Sequence, residues 1–172
     1  MRSQSNLTRR IALAGMLTAL AMVLSYVEAL IPFNFGIPGV KLGLANIIVV
    51  TGLYYLPLPE VCVISAVRII LSSLLFGNMM ALAYSLAGGA LSLVVMVLLK
   101  RTGKFSVAGI SMAGGVFHNV GQILAAMLLT GVGAVAYYMP VLMGVGLVTG
   151  LFMGLLSGRV MLILAKTMKK QD

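Results

Sequence analysis

The chain consists of apolar runs long enough, or nearly long enough, to cross a membrane, separated by brief polar punctuation. A spanning helix needs about 20 apolar residues at 1.5 Å rise each. Six such segments are predicted, near 11–31, 42–56, 61–76, 79–99, 106–130 and 136–165. The breaks carry stop signals: Pro32, the run LPLPE, Gly77-Asn78, KRTGKF and TGVG. The second segment is short. The last exceeds one crossing, which predicts tilt or a break near Pro140. Of the 172 residues, 61% are hydrophobic and 9% charged, against roughly a quarter charged in a soluble domain. Water cannot solvate such a surface, so lipid is the solvent. Alternating strands are lacking, which excludes a β-barrel. The expected fold is an all-α membrane protein, a single-domain bundle of six transmembrane helices with no separate soluble domain.

Twelve Lys and Arg against three Asp and Glu leave a net charge of +9. In a soluble chain this balance would point to nucleic acid. Here the basic residues cluster at the ends of apolar runs, which points to the lipid bilayer and no nucleic acid. Arg2, Arg9 and Arg10 precede the first run. Lys100, Arg101 and Lys104 follow the fourth, and Arg159, Lys166, Lys169 and Lys170 close the sixth. Six crossings put all ten on one side. Five or seven would strand a cluster on the wrong face. Both termini are therefore expected in the cytoplasm. The first run is too long for a signal-peptide core and lacks a cleavage site, so it is read as a retained helix. Lone Cys62 excludes an intrachain disulfide and is expected to be buried.

Lys41 and Arg68 break the topological pattern and need another reason to be present. Arg68 lies midway along the third run, where an arginine costs about 2.5–3.5 kcal/mol on insertion scales. It is read as binding an anionic ligand group or as a structural ion pair. Glu28 is the available acid, since Glu60 lies about 12 Å along the same helix. In the fifth run Ser111, Gly115, His118 and Gln122 share one helical stripe, with Asn119 beside it. This is a pocket wall or a set of interhelical hydrogen bonds, with Gly114, Gly115 and Gly121 expected to open space. In IPGVKLGLAN, Pro38 and Gly39 shape a turn, Lys41 stands at a helix start and Asn46 a turn inside, a junction suited to anions. Gly146, Gly150, Gly154 and Gly158 recur every fourth residue, and Gly15 and Ala19 form a second small-residue face. Both faces suit close packing, within the chain or against a partner. One histidine and one cysteine are too few for a metal site. No Walker motif, Mg²⁺-binding acidic cluster or nucleophile with a positioned base is present, so no enzyme and no cofactor is expected.

With IPGVKLGLAN, VRIILSSLLFGN around Arg68, SLAGGALS and GGVFHNVGQ, the chain resembles the Gx transporter family over nearly its whole length. Members are also labelled heptaprenyl diphosphate synthase component I. That family is similar to the substrate-binding S-components of energy-coupling factor (ECF) transporters. The resemblance implies six helices, an S-component-like pocket near the outer face lidded by a long first loop, and docking of helix 1 on a coupling subunit. Those proteins often carry Ala-xxx-Ala in helix 1, where this chain has Gly15-xxx-Ala19. The function so implied is small-molecule uptake, with a membrane coupling subunit and ATPase subunits as partners. Lys41, Asn46, Arg68, His118, Asn119 and Gln122 would line the site. The alternative is a non-catalytic accessory subunit of heptaprenyl diphosphate synthase, because prenyl transfer resembles chemistry that needs aspartate-rich, Mg²⁺-binding motifs. A structural membrane partner is the third class.

Overall fold

The structure is a computed structural model, which describes residues 2–30 and 43–168. Six α-helices follow one another: α1 (Arg2–Leu30), α2 (Asn46–Tyr55), α3 (Leu58–Phe76), α4 (Met79–Thr102), α5 (Val107–Thr130) and α6 (Met139–Met168). A 3-10 helix, Gly133–Tyr138, precedes α6. No strand occurs among the described residues. The punctuation read in the sequence acts through capping. The Asn78 side chain accepts from Ala81 N–H and Ser106 from Gly109 N–H, each satisfying a free first-turn donor. Gly103 and Gly131 end α4 and α5 at φ 68° and 70°, a left-handed conformation that favours glycine.

Five helical segments are long and apolar enough to cross a bilayer, so the chain is a multi-pass membrane protein. The bundle turns large apolar side chains outward, among them Leu128, Phe152 and Ile163, as lipid solvation requires.

Several expectations need correction. α1 begins at Arg2 rather than near 11, because a polar stretch can continue a helix beyond its apolar run. α2 begins at Asn46 rather than 42 and is about 15 Å long, half the hydrocarbon thickness. It is a half-helix, tolerable at membrane depth because residues Ile48 to Leu53 are buried in protein. The last segment, expected to be tilted or broken near Pro140, changes from the 3-10 helix to α6 between Tyr138 and Met139, next to Pro140. That residue sits in the first turn of α6, where its missing N–H costs nothing. Cys62 is exposed on the bundle surface rather than buried.

α5 lies between α4 and α6, while α1 packs mainly on α3 and α2 on α6. Glycines permit these approaches. A Cβ on Gly121 would lie 2.8 Å from Gly88 Cα, so α4 and α5 meet backbone to backbone. Gly121 therefore does not open a pocket, since α4 fills the space. On the opposite face, a Cβ on Gly146 would lie 2.5 Å from the Gly115 carbonyl oxygen. Gly150 and Gly154 contact α5 in the same way, whereas Gly158 faces open space. The glycine stripe is thus met inside the chain at three of its four positions.

Candidate functional site

The loop of Leu56 and Pro57 joins α2 to α3, and both helices rise from it. Lys100, at the end of α4, donates to the Leu53 carbonyl and brings that helix end to the same level. From this level, helical rise places Asn46 about 14 Å up α2, Arg68 about 15 Å up α3 and Ser92 about 15 Å up α4. His118 stands about 17 Å up α5. Four polar residues from four helices therefore stand at a similar height, about half the length of a spanning helix from that level.

They surround a cavity of about 80 Å³, lined also by Glu28, Gly43, Ser72, Ser85, Asn119 and Thr149. A water needs roughly 10–15 Å³ of such space, so the cavity holds about five waters or one compact polar group. An isoprenoid tail does not fit inside it.

Arg68 is part-buried, and its Nε is buried with no hydrogen-bond partner among the described residues. Glu28 does not pair with it directly. The Glu28 carboxylate instead accepts from Gly43 N–H at 2.8 Å and Leu44 N–H at 3.2 Å, bridging the end of α1 to the start of α2. The one ion pair among the described residues is Arg10 with Glu60, remote from the cavity. Gly43 turns the chain at φ 74°, which presents these two amides together. They lie at the positive end of the α2 dipole. The cavity thus combines a guanidinium whose Nε is unpartnered with a turn before α2 whose amides already hold a carboxylate.

Of the residues expected at the site, Asn46, Arg68, His118 and Asn119 line the cavity. Asn119 also donates its side-chain amide to the Leu142 carbonyl of α6, so it serves packing as well. Gln122 does not line the cavity, because it lies one turn beyond His118 with its Cγ against Gly88. Lys41, Pro38, Gly39 and the rest of the 31–42 loop lie outside the described residues. Ser111, on the same stripe as His118, is fully buried with an unpartnered hydroxyl and does not line the cavity. Gly15 and Ala19 line a separate, mostly apolar groove between α1 and α3, with nothing packed against Gly15.

The hydroxyls of Ser72, Ser85, Ser92 and Thr149 escaped the sequence reading. Serines and threonines in membrane helices commonly bond their own backbone, as Thr149 does to the Val145 carbonyl at 3.0 Å. The available signal was the seven-residue spacing of Ser85 and Ser92, two turns on one face of α4.

Against known proteins, a family model described as heptaprenyl diphosphate synthase component I matches residues 17–160. No curated protein and no solved structure matches the chain.

Proposed function

The chain belongs to the heptaprenyl diphosphate synthase component I family, and on that premise we propose that it is the non-catalytic membrane subunit of such a synthase, with a central cavity that binds a compact anionic group. The observation that carries the binding role is Arg68, midway along α3 with its Nε buried and unpartnered beside an 80 Å³ polar cavity. A guanidinium so placed is expensive unless it meets negative charge. The cavity matches a phosphoryl-sized group in size and charge, with any apolar remainder outside it. Three acids in the whole chain, Glu28, Glu60 and Asp172, do not make a Mg²⁺-diphosphate centre. Catalysis then belongs to a separate chain, which this subunit would hold at the membrane.

A second reading is the substrate-binding subunit of an ECF-type uptake transporter, favoured by the polar cavity beside the half-helix α2. Such half-helix termini recur at transporter substrate sites. Affinity purification from membranes separates the two. A copurifying prenyltransferase supports the synthase subunit. Copurifying ATPase subunits with a membrane coupling protein would replace it with the transporter subunit.

The binding role is tested by thermal stability with and without inorganic pyrophosphate. Wild type should be stabilised, and Arg68→Ala should fold yet lose the shift. The expected loss of affinity is 30-fold or more, about 2 kcal/mol or above for one buried charge-assisted contact. Arg68→Lys should recover only part, since an ammonium does not reproduce the planar fork. Equal shifts in wild type and Arg68→Ala would remove Arg68 from the binding role.

A further inference from the structure

We propose that the cavity selects two linked phosphoryl groups, a diphosphate, over a single one, and that Ser85 and Ser92 on α4 set that length. This rests on the anion-binding role of the cavity and names the class of its ligand. Both serines line the cavity and are otherwise buried, at 6% and 4% exposure. On neighbouring walls Ser72 donates to the Ile69 carbonyl and Thr149 to the Val145 carbonyl, which ties each hydroxyl to its own helix. Ser85 and Ser92 make no such bond among the described residues. Two buried hydroxyls are thus left to a ligand or to water.

Residues seven apart lie nearly above one another on a helix, two turns or about 10.5 Å along the axis. A hydrogen bond of about 2.7 Å at each end leaves about 5 Å between the outermost ligand oxygens. One tetrahedral phosphoryl group, or a carboxylate, is too short to meet both serines. Two phosphoryl groups joined through one oxygen reach. The helix wall between the serines carries no side chain, because Gly88 and Gly89 occupy it. A Cβ on Gly88 would lie 2.6 Å from the His118 carbonyl oxygen, and one on Gly89 2.5 Å from Ile69 Cδ1. Gly88 therefore closes on α5 and Gly89 on α3, and the serines face the seam between those helices. Arg68 precedes Ile69, so α3 brings it to the cavity at a height between the two serines. A planar fork placed there can bond an oxygen of each phosphoryl group. Five waters at about 30 Å³ of liquid volume each leave about 150 Å³ when displaced, room for a diphosphate with the tail of any ester outside.

The probes are inorganic pyrophosphate and inorganic phosphate, titrated calorimetrically against the full-length protein in detergent. Wild type should bind pyrophosphate at least tenfold more tightly, as expected from one further hydrogen bond to a charged group. Ser85→Ala and Ser92→Ala should each weaken pyrophosphate about tenfold or more. Phosphate should lose much less, because it can use the remaining serine. The preference therefore shrinks in both variants. A preference due to charge alone would survive both substitutions, and that survival would overturn the role of the serines. Propane-1,3-diphosphonate holds its two phosphoryl groups further apart and should bind wild type at least tenfold more weakly than pyrophosphate. Equal binding of those two would overturn length selection without any variant. Geranyl diphosphate separates the two sources of a diphosphate. Competition with pyrophosphate supports the head of a prenyl diphosphate, and pyrophosphate binding without competition supports the free ion. Equal affinity for phosphate and pyrophosphate, both lost in Arg68→Ala, would remove length selection and leave the anion-binding role standing. Binding of neither to wild type would overturn that role and length selection with it.

Discussion

Glu28 and Gln122 show how little a residue's type says about its task inside a membrane. Both are polar and in apolar helices, Glu28 read as the available acid for Arg68 and Gln122 as part of the site lining. The structure gives Glu28 to two backbone amides of the turn before α2 and seats Gln122 against the glycine face of α4. Accordingly, Gln122→Leu should leave the pyrophosphate-induced thermal shift unchanged, while His118→Leu, which alters the cavity lining, should reduce it. A shift lost in Gln122→Leu and kept in His118→Leu would move the site one turn along α5. Arg68, His118 and Asn119 were legible from the sequence because each is costly among apolar neighbours and so demands a partner or a cavity. The role of Glu28 was not legible. Its amide partners lie across a connection whose path depends on how α1 and α2 meet. The cavity hydroxyls were hidden for a different reason, since a serine in a membrane helix costs little and need not signal anything.

Among the elements, α2 and α6 depart most from a plain spanning helix, each for a local reason. α2 is cut short by the Gly43 turn, and its exposed start is compensated by Glu28. α6 has its glycines where α5 must come close. The stripe was visible as a four-residue repeat, but its partner was not, because a repeat identifies a face and not what covers it. The geometry now distinguishes its members. A Cβ on Gly150 would lie 2.7 Å from Met112 Cα, both atoms being part of packed helices that cannot yield separately. Gly150→Leu should therefore destabilise the protein by more than the roughly 1–3 kcal/mol usual for overpacking, read as loss of monodisperse folded protein after detergent extraction. Gly158 has nothing within 4 Å, and Gly158→Leu should be tolerated. A Gly158→Leu protein that folds but loses a copurifying chain would place that chain on the exposed end of the stripe.

For the molecule as a whole, the crossing number rests on two independent constraints that meet at α2. Charge distribution asks for six crossings, because only an even count of that size aligns the ten flanking basic residues. Length alone supports five, because α2 covers about half the hydrocarbon core. The two counts differ at the half-helix α2 alone. The even count has a consequence for orientation. Thr102 and Tyr137 lie beyond opposite ends of α5, so one should face the cytoplasm and the other the outside, with the basic clusters on the side of Thr102. In a Cys62→Ser background, an impermeant thiol reagent added to intact cells should modify Tyr137→Cys, at a position whose side chain is 87% exposed, and should spare Thr102→Cys until the membrane is opened. The opposite pattern would invert the molecule. Labelling of both positions from outside would show that α5 does not span, and the even count would fail with it. Substituting Arg101 and Lys104 by glutamine should weaken the preference, giving partial labelling of Thr102→Cys, because positive charge in short loops is what retains them on the cytoplasmic side.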